Sequence, residues 1–174
     1  MQDLYDDYDK NEKVVGIFTL EEETASGKEV YFATEEGIVK RTSVEDFKGD
    51  ATRGQVVKFK TPTDKLVYAE AFPEHMEDTM LMVSERGMAI RFESSSISLL
   101  SKNAAGVLGM NLREEDRVFF AKIITDEKEM VVGSKGNADE THVISDIKLQ
   151  NRATRGKSIM TLYLGDTINK VDLN

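Results

Sequence analysis

Lysine and arginine gather at three places in this chain, about fifty residues apart. Residues 37–60 hold six Lys or Arg against three Asp or Glu, and residues 86–113 and 143–160 each hold four against one. Each segment is therefore +3, although the whole chain of 174 residues is −9. Cations at a regular interval could neutralise the phosphates of a polyanion that bends along a curved edge. Affinity would come from released counterions, with little reading of bases. Acidic stretches separate the basic ones, so the whole-chain charge does not exclude such a partner. Other chemistry is poorly provided for. His75 and His142 have no ligands at zinc spacing, and cysteine is absent. Asp3, Asp6, Asp7 and Asp9 lack the glycine and terminal glutamate of a calcium loop and read as a solvated tail. Tyr31 and Tyr68 fall in predicted strands and Tyr163 near another, so packing is expected of all three. Tyr5 and Tyr8 lie in the acidic tail, outside the basic segments. No nucleophile is assigned, and without a Walker-type loop no nucleotide or other cofactor is expected.

The basic segments belong to a longer repeat. The copies around Val30–Arg41, Leu81–Phe92 and Met130–Asp139 each run from apolar residues through a small one and two polar ones to a glycine, at Gly37, Gly87 and Gly136. A second glycine follows at Gly54, Gly106 and Gly156. An acid then precedes another apolar run at Asp64, Asp116 and Asp166. Three landmarks in one register define units of about fifty residues, the size of propeller blades or solenoid repeats. Within a unit, Val14 to Leu20, Val30 to Ala33, Val56 to Phe59 and Leu66 to Phe72 read as strands. Glu35-Glu36-Gly37 and Glu85-Arg86-Gly87 read as hairpin turns, and Ser43 as the N-cap of a helical turn. The fold class is all-β, a propeller-like array of four-stranded blades.

The expected organisation is an acidic tail or boundary at 1–11, then one repeat domain at 12–174. Its units fall at about 12–63, 64–115 and 116–165, and the remainder starts a further unit. No apolar stretch is long enough to span a membrane, and the acidic N-terminus, without an apolar run, is not expected to act as a signal peptide. A cytoplasmic location is expected.

The turn of hydrophobic-Ser/Thr-x-x-Gly-x-x-Lys/Arg form, a later Gly-hydrophobic strand and Asp-x-hydrophobic carry a resemblance. Phe32–Thr42 with Gly54, and Val83–Phe92 with Ala105-Gly106-Val107, resemble the C-terminal domain of the A subunit of bacterial type IIA topoisomerases, DNA gyrase and topoisomerase IV. The resemblance implies a β-pinwheel that binds double-stranded DNA and bends it, without catalysis of its own. It implies as partners the catalytic core of the same A subunit, with the ATPase B subunit reached through it, in a bacterial, nucleoid-associated setting. Carried over by position, Lys40, Arg41, Arg53, Lys58, Arg91, Lys102, Arg152, Arg155 and Lys157 would face phosphates. The gyrase-type box, Gln-basic-basic-Gly-Gly-basic-Gly, has no intact copy. Its nearest match, Gln150 to Lys157, lacks the paired glycines. That departure favours topoisomerase IV over gyrase. Two other readings stay open: a propeller-like protein-interaction scaffold with acidic loops as its face, and a small β enzyme, which the missing catalytic constellation disfavours.

Overall fold

The computed structural model describes residues 12–18, 27–48 and 54–174. The acidic tail, with Tyr5 and Tyr8, and Arg53 lie outside them. The described residues form three antiparallel sheets and three short 3-10 turns, with no α-helix among them. In the first blade β1 (Lys28–Thr34) and β2 (Ile38–Ser43) make a hairpin, flanked by β3 (Leu66–Pro73). In the second, β4 (Thr79–Ser84) and β5 (Met88–Glu93) are flanked by β7 (Val118–Ile124). In the third, β8 (Glu129–Ser134) and β9 (Glu140–Val143) are flanked by β11 (Ile168–Leu173).

Like the flanking strand, the fourth strand comes from the next unit. β6 (Val107–Leu108) pairs with β2, placing Val107 opposite Val39 and Leu108 opposite Ile38. β10 (Lys157–Ser158) pairs with β5, placing Lys157 opposite Ala89 and Ser158 opposite Met88. The third blade has three strands among the described residues. Each fifty-residue unit thus contributes to more than one blade. The stretch after Asp166, expected to open a further unit, supplies the strand that closes the third blade. Two expected strands are absent: residues 12–18 and 54–60 carry no strand, and Leu20 lies outside the described residues.

Alternation of side chains builds the core. In β1, Val30 and Phe32 pack on the outer side of the first blade with Val44 and Val57, while Tyr31 and Ala33 face the second blade. β4 is buried on both faces: Met80 and Met82 meet the first blade, and Leu81 and Val83 meet Met130 and Val132 of the third. An uninterrupted apolar run is what a strand covered on both sides requires. Tyr31 and Tyr68 are buried packing residues as expected, but Tyr163 is 70 % exposed, because it lies in the loop before β11.

The repeat landmarks have physical reasons. Gly37 and Gly87 take φ of 81° and 74° in the hairpin turns, which an L side chain resists. A Cβ at either would also strike the carbonyl of Met110 or Met160 on the segment arriving from the next unit. The third member of this series is displaced. The amides of Glu36, Arg86 and Gly136 occupy one structural position, each donating to the aspartate that opens the following unit, so Asn137 stands where Gly37 and Gly87 do. Asp116 Oδ1 accepts from the amides of Arg86 (3.1 Å) and Arg117 (2.9 Å) in a site where Asp116 is buried. Asp116→Ala leaves those amides without an acceptor and is expected to lower stability by about 1–3 kcal/mol. An unchanged urea midpoint would contradict that role. Ser43 caps its turn as expected, its Oγ accepting from the amide of Glu45 at 3.3 Å.

Candidate nucleic-acid interface

The structure separates the expected basic residues into three groups. Lys40 leaves the surface altogether. It is 1 % exposed, and Nζ donates to the carbonyls of Val56 (2.7 Å), Ser101 (3.0 Å), Lys102 (2.6 Å) and Ala104 (3.3 Å). The ammonium also lies 5.6 Å from the centroid of the Phe32 ring. Burial pushes its pKa down to about 8. Its charge fastens the 54–57 and 101–104 segments to β2, and the expectation that it faces phosphate is corrected on that ground.

Arg41 and Arg152 are the second group, partly spent inside the protein. Arg41 Nη1 pairs with Glu29 Oε2 at 2.7 Å, and its Nε donates to the carbonyl of Ile97 at 2.8 Å. Glu29 is itself buried and also accepts from the Tyr31 hydroxyl at 3.3 Å. Arg152 donates from Nε to Ser96 O (2.9 Å) and from Nη1 to Leu108 O (2.7 Å), so it ties the third unit to the second. Lys102 is half-buried beside the Lys40 cradle.

The third group presents cations to solvent. Lys58, Arg155 and Lys157 are exposed, and Arg91 is half-buried. Arg155 and Lys157 flank Gly156, where φ is 74° and a Cβ would meet the carbonyl group of Ala89. That close approach sets both side chains along the outer edge of the second blade. Arg91 follows two residues after Ala89 on the accepting strand β5. The backbone adds Gln150 N to Arg91 O at 2.9 Å, bringing Lys148, two residues earlier and exposed, to the same edge. Lys148 was missed among the expected contacts, although it lies in the third basic segment. The corresponding edge of the first blade carries Ser98, Ala105 and Val107 where the second carries Lys148, Arg155 and Lys157. Of these two equivalent edges, the one at the junction of the second and third blades carries the exposed cations. No group of three His, Cys, Asp or Glu that could hold a metal occurs among the described residues. No helix in them is long and apolar enough to cross a membrane.

Hairpins joined by a strand lent from the next unit define a strand-exchanged, propeller-like all-β repeat fold. The chain belongs to the family described as DNA gyrase C-terminal domain, beta-propeller, which it matches over residues 28–73, 78–125 and 143–173. It is 29 % identical over 155 residues to the A subunit of DNA gyrase from Kosmotoga olearia, covering 88 % of this chain and 19 % of that protein. It is 34 % identical over 135 residues to the gyrase A subunit of Staphylococcus epidermidis, covering 75 % and 15 %. The chain thus spans less than a fifth of these relatives. Among solved structures, the C-terminal domain of DNA topoisomerase IV superposes with a TM-score of 0.76 at 26 % identity, covering 85 % of this chain and 46 % of the other. The E. coli ParC C-terminal domain shares the fold, with a TM-score of 0.60 at 15 % identity over 85 % of this chain and 57 % of that one.

Proposed function

We propose that this domain binds duplex DNA through backbone phosphates along the outer edges of its blades and bends it, steering segments for a type IIA topoisomerase. The observation that carries the reading is the exposed row of Lys148, Arg155 and Lys157 beside Arg91, at one blade junction of an otherwise acidic chain. Three or four cations along neighbouring segments suit a run of phosphates and offer no rigid donor pattern for base edges. The partners of this role are the catalytic core of the same A subunit, through which the ATPase B subunit is reached, at the bacterial nucleoid.

The reading favours topoisomerase IV over gyrase. The Gln150–Lys157 segment, nearest to the gyrase box, is folded into the blade junction. Gln150 Oε1 accepts from the Thr154 hydroxyl at 3.1 Å, and Ala153 N donates to Gly109 O at 2.8 Å. Without paired glycines it has less freedom to follow a tightly wrapped duplex. End-to-end fluorescence transfer on a duplex of about 100 base pairs, within one persistence length, tests the bend. Transfer should rise on binding. Binding with unchanged transfer would remove bending from the account, and a shift in the linking number of relaxed circles would favour gyrase-like wrapping.

A further inference from the structure

Two clefts between neighbouring blades hold an arginine at equivalent positions, and only one of these arginines is neutralised. The first cleft, about 510 Å³, is lined by Arg41, His75, Met76, Glu77, Glu93 and Ser95. The second, about 420 Å³, holds Arg91 with Thr79, Thr125, Lys128 and Ser145 around it. Pairing registers make the two superposable. Arg41 lies opposite Tyr31 and Arg91 opposite Leu81, so Glu29 and Thr79 occupy the same place two residues earlier on the facing strand. Diagonal neighbours on one sheet face are close enough for long side chains to meet. In the first blade they do, as the Arg41–Glu29 pair at 2.7 Å. In the second, threonine cannot supply the carboxylate. Arg91 Nε is buried without a hydrogen-bond partner, whereas Arg41 Nε donates to Ile97 O. A buried guanidinium donor with no acceptor from the protein is costly, and an incoming oxygen could satisfy it.

We propose that the cleft between the second and third blades is a phosphodiester seat built on Arg91, and that the Glu29/Thr79 difference decides which blade junction grips the DNA backbone. The inference rests on the DNA-binding reading above and names its anchoring contact. Counting Lys122, the charges around the cleft cancel, so an anion would be drawn by the unpaired Arg91 guanidinium and not by a positive surplus. Arg91 and Lys128 face Glu77, Asp78 and Glu127, and Glu127 is already paired with Lys122 at 2.5 Å. None of these carboxylates forms an ion pair with Arg91 among the described residues. A phosphodiester carries one negative charge and offers two oxygens to the forked guanidinium, whereas Glu29 gives Arg41 a single oxygen. The same junction carries Lys148, Arg155 and Lys157 on its edge, so one seated phosphate sets the register of the strand that those cations follow.

Three variants test the seat. Arg91→Gln removes the guanidinium, Thr79→Glu restores in the second blade the carboxylate of the first, and Glu29→Thr frees Arg41. Duplex affinity is measured across a salt series, and the Arg Nε–H signals are followed by NMR with duplex DNA or dimethyl phosphate added. Arg91→Gln and Thr79→Glu should each bind about tenfold more weakly at low salt. Each should also lose about 0.9 from the magnitude of the log–log salt slope, the share of one phosphate. Glu29→Thr should steepen the slope by a similar amount. The Arg91 Nε–H signal should shift with either ligand in the wild type, and the Arg41 signal should stay still. Unchanged slopes in Arg91→Gln and Thr79→Glu would overturn the seat and leave DNA binding intact. If the wild type binds no duplex, the functional reading fails, and dimethyl phosphate then decides the seat alone. A shift at Arg91 that Thr79→Glu abolishes would keep it, and no shift would overturn it.

Discussion

Valine in place of Gly156 should detach the lent strand from the second blade and lower the stability of the whole array. Gly156 has a φ of 74°, and a Cβ there would lie 2.6 Å from the carbonyl carbon of Ala89. A branched side chain is strained by the backbone angle and excluded by the neighbouring backbone, which has no flexible end to swing away. These two costs together come to about 3–5 kcal/mol. For a chain of this length that corresponds to a fall in Tm on the order of 10 °C. The loss should be local first. Hydrogen exchange should quicken at Ile159 and Ala153, whose amides donate to Gly87 O and Gly109 O. DNA affinity should fall with it, because Arg155 and Lys157 are carried by the same strand. Gly54→Val is the control. It is the same repeat position in the first unit, and a Cβ there meets nothing within 4 Å. It should change stability by no more than about 0.5 kcal/mol. Equal effects from the two substitutions would mean that strand exchange is not what holds the blades together.

Lys40→Met should cost about 2–4 kcal/mol, although it exchanges a charged residue for an apolar one in a buried place. Four carbonyls converge on the ammonium, and methionine offers none of them a donor. The pH dependence has a defined sign. The folded pKa of about 8 lies below the ordinary 10.5. Between these values the unfolded chain holds a proton that the folded chain has released. The contribution of this lysine to stability therefore rises with pH across that window and is level below it. Urea unfolding of the wild type and Lys40→Met at pH 7, 9 and 10 should show a difference that widens with pH. A difference that narrows would mean that the carbonyl cradle outweighs burial and holds the proton more firmly than water does.

The fold was legible because the repeat landmarks are each required by a contact. Gly37 and Gly87 turn hairpins against an incoming carbonyl. Gly106 and Gly156 admit a neighbouring backbone, and Asp64, Asp116 and Asp166 each accept from a hairpin amide. Which blade a short strand joins was not legible. Two residues such as Val107-Leu108 carry no periodicity, and their partner β2 lies some seventy residues earlier. The third turn misled for a related reason. Gly136 looks like the counterpart of Gly87, but the aspartate contacts place it one position earlier.

The candidate site was legible as segments and less so as residues. Lys40 and Arg41 are adjacent and alike in charge, yet strand alternation sends one inward and the other toward a cleft. The inward position could have been found, because Lys40 aligns with Ile90 in the second unit. The neutralisation of Arg41 by Glu29 could not, since it depends on the register of two strands. Charge segments show where cations are made, and only the structure shows which are already spent.

The affinity of this chain for duplex DNA across a salt series is the decisive measurement of a phosphate-binding edge. Four free cations at one junction, Arg91, Lys148, Arg155 and Lys157, predict a linear log–log fall with a slope of about −3 to −4. No binding at about 50 mM salt, or an affinity indifferent to salt, would contradict such an edge and move a protein-interaction surface ahead of it.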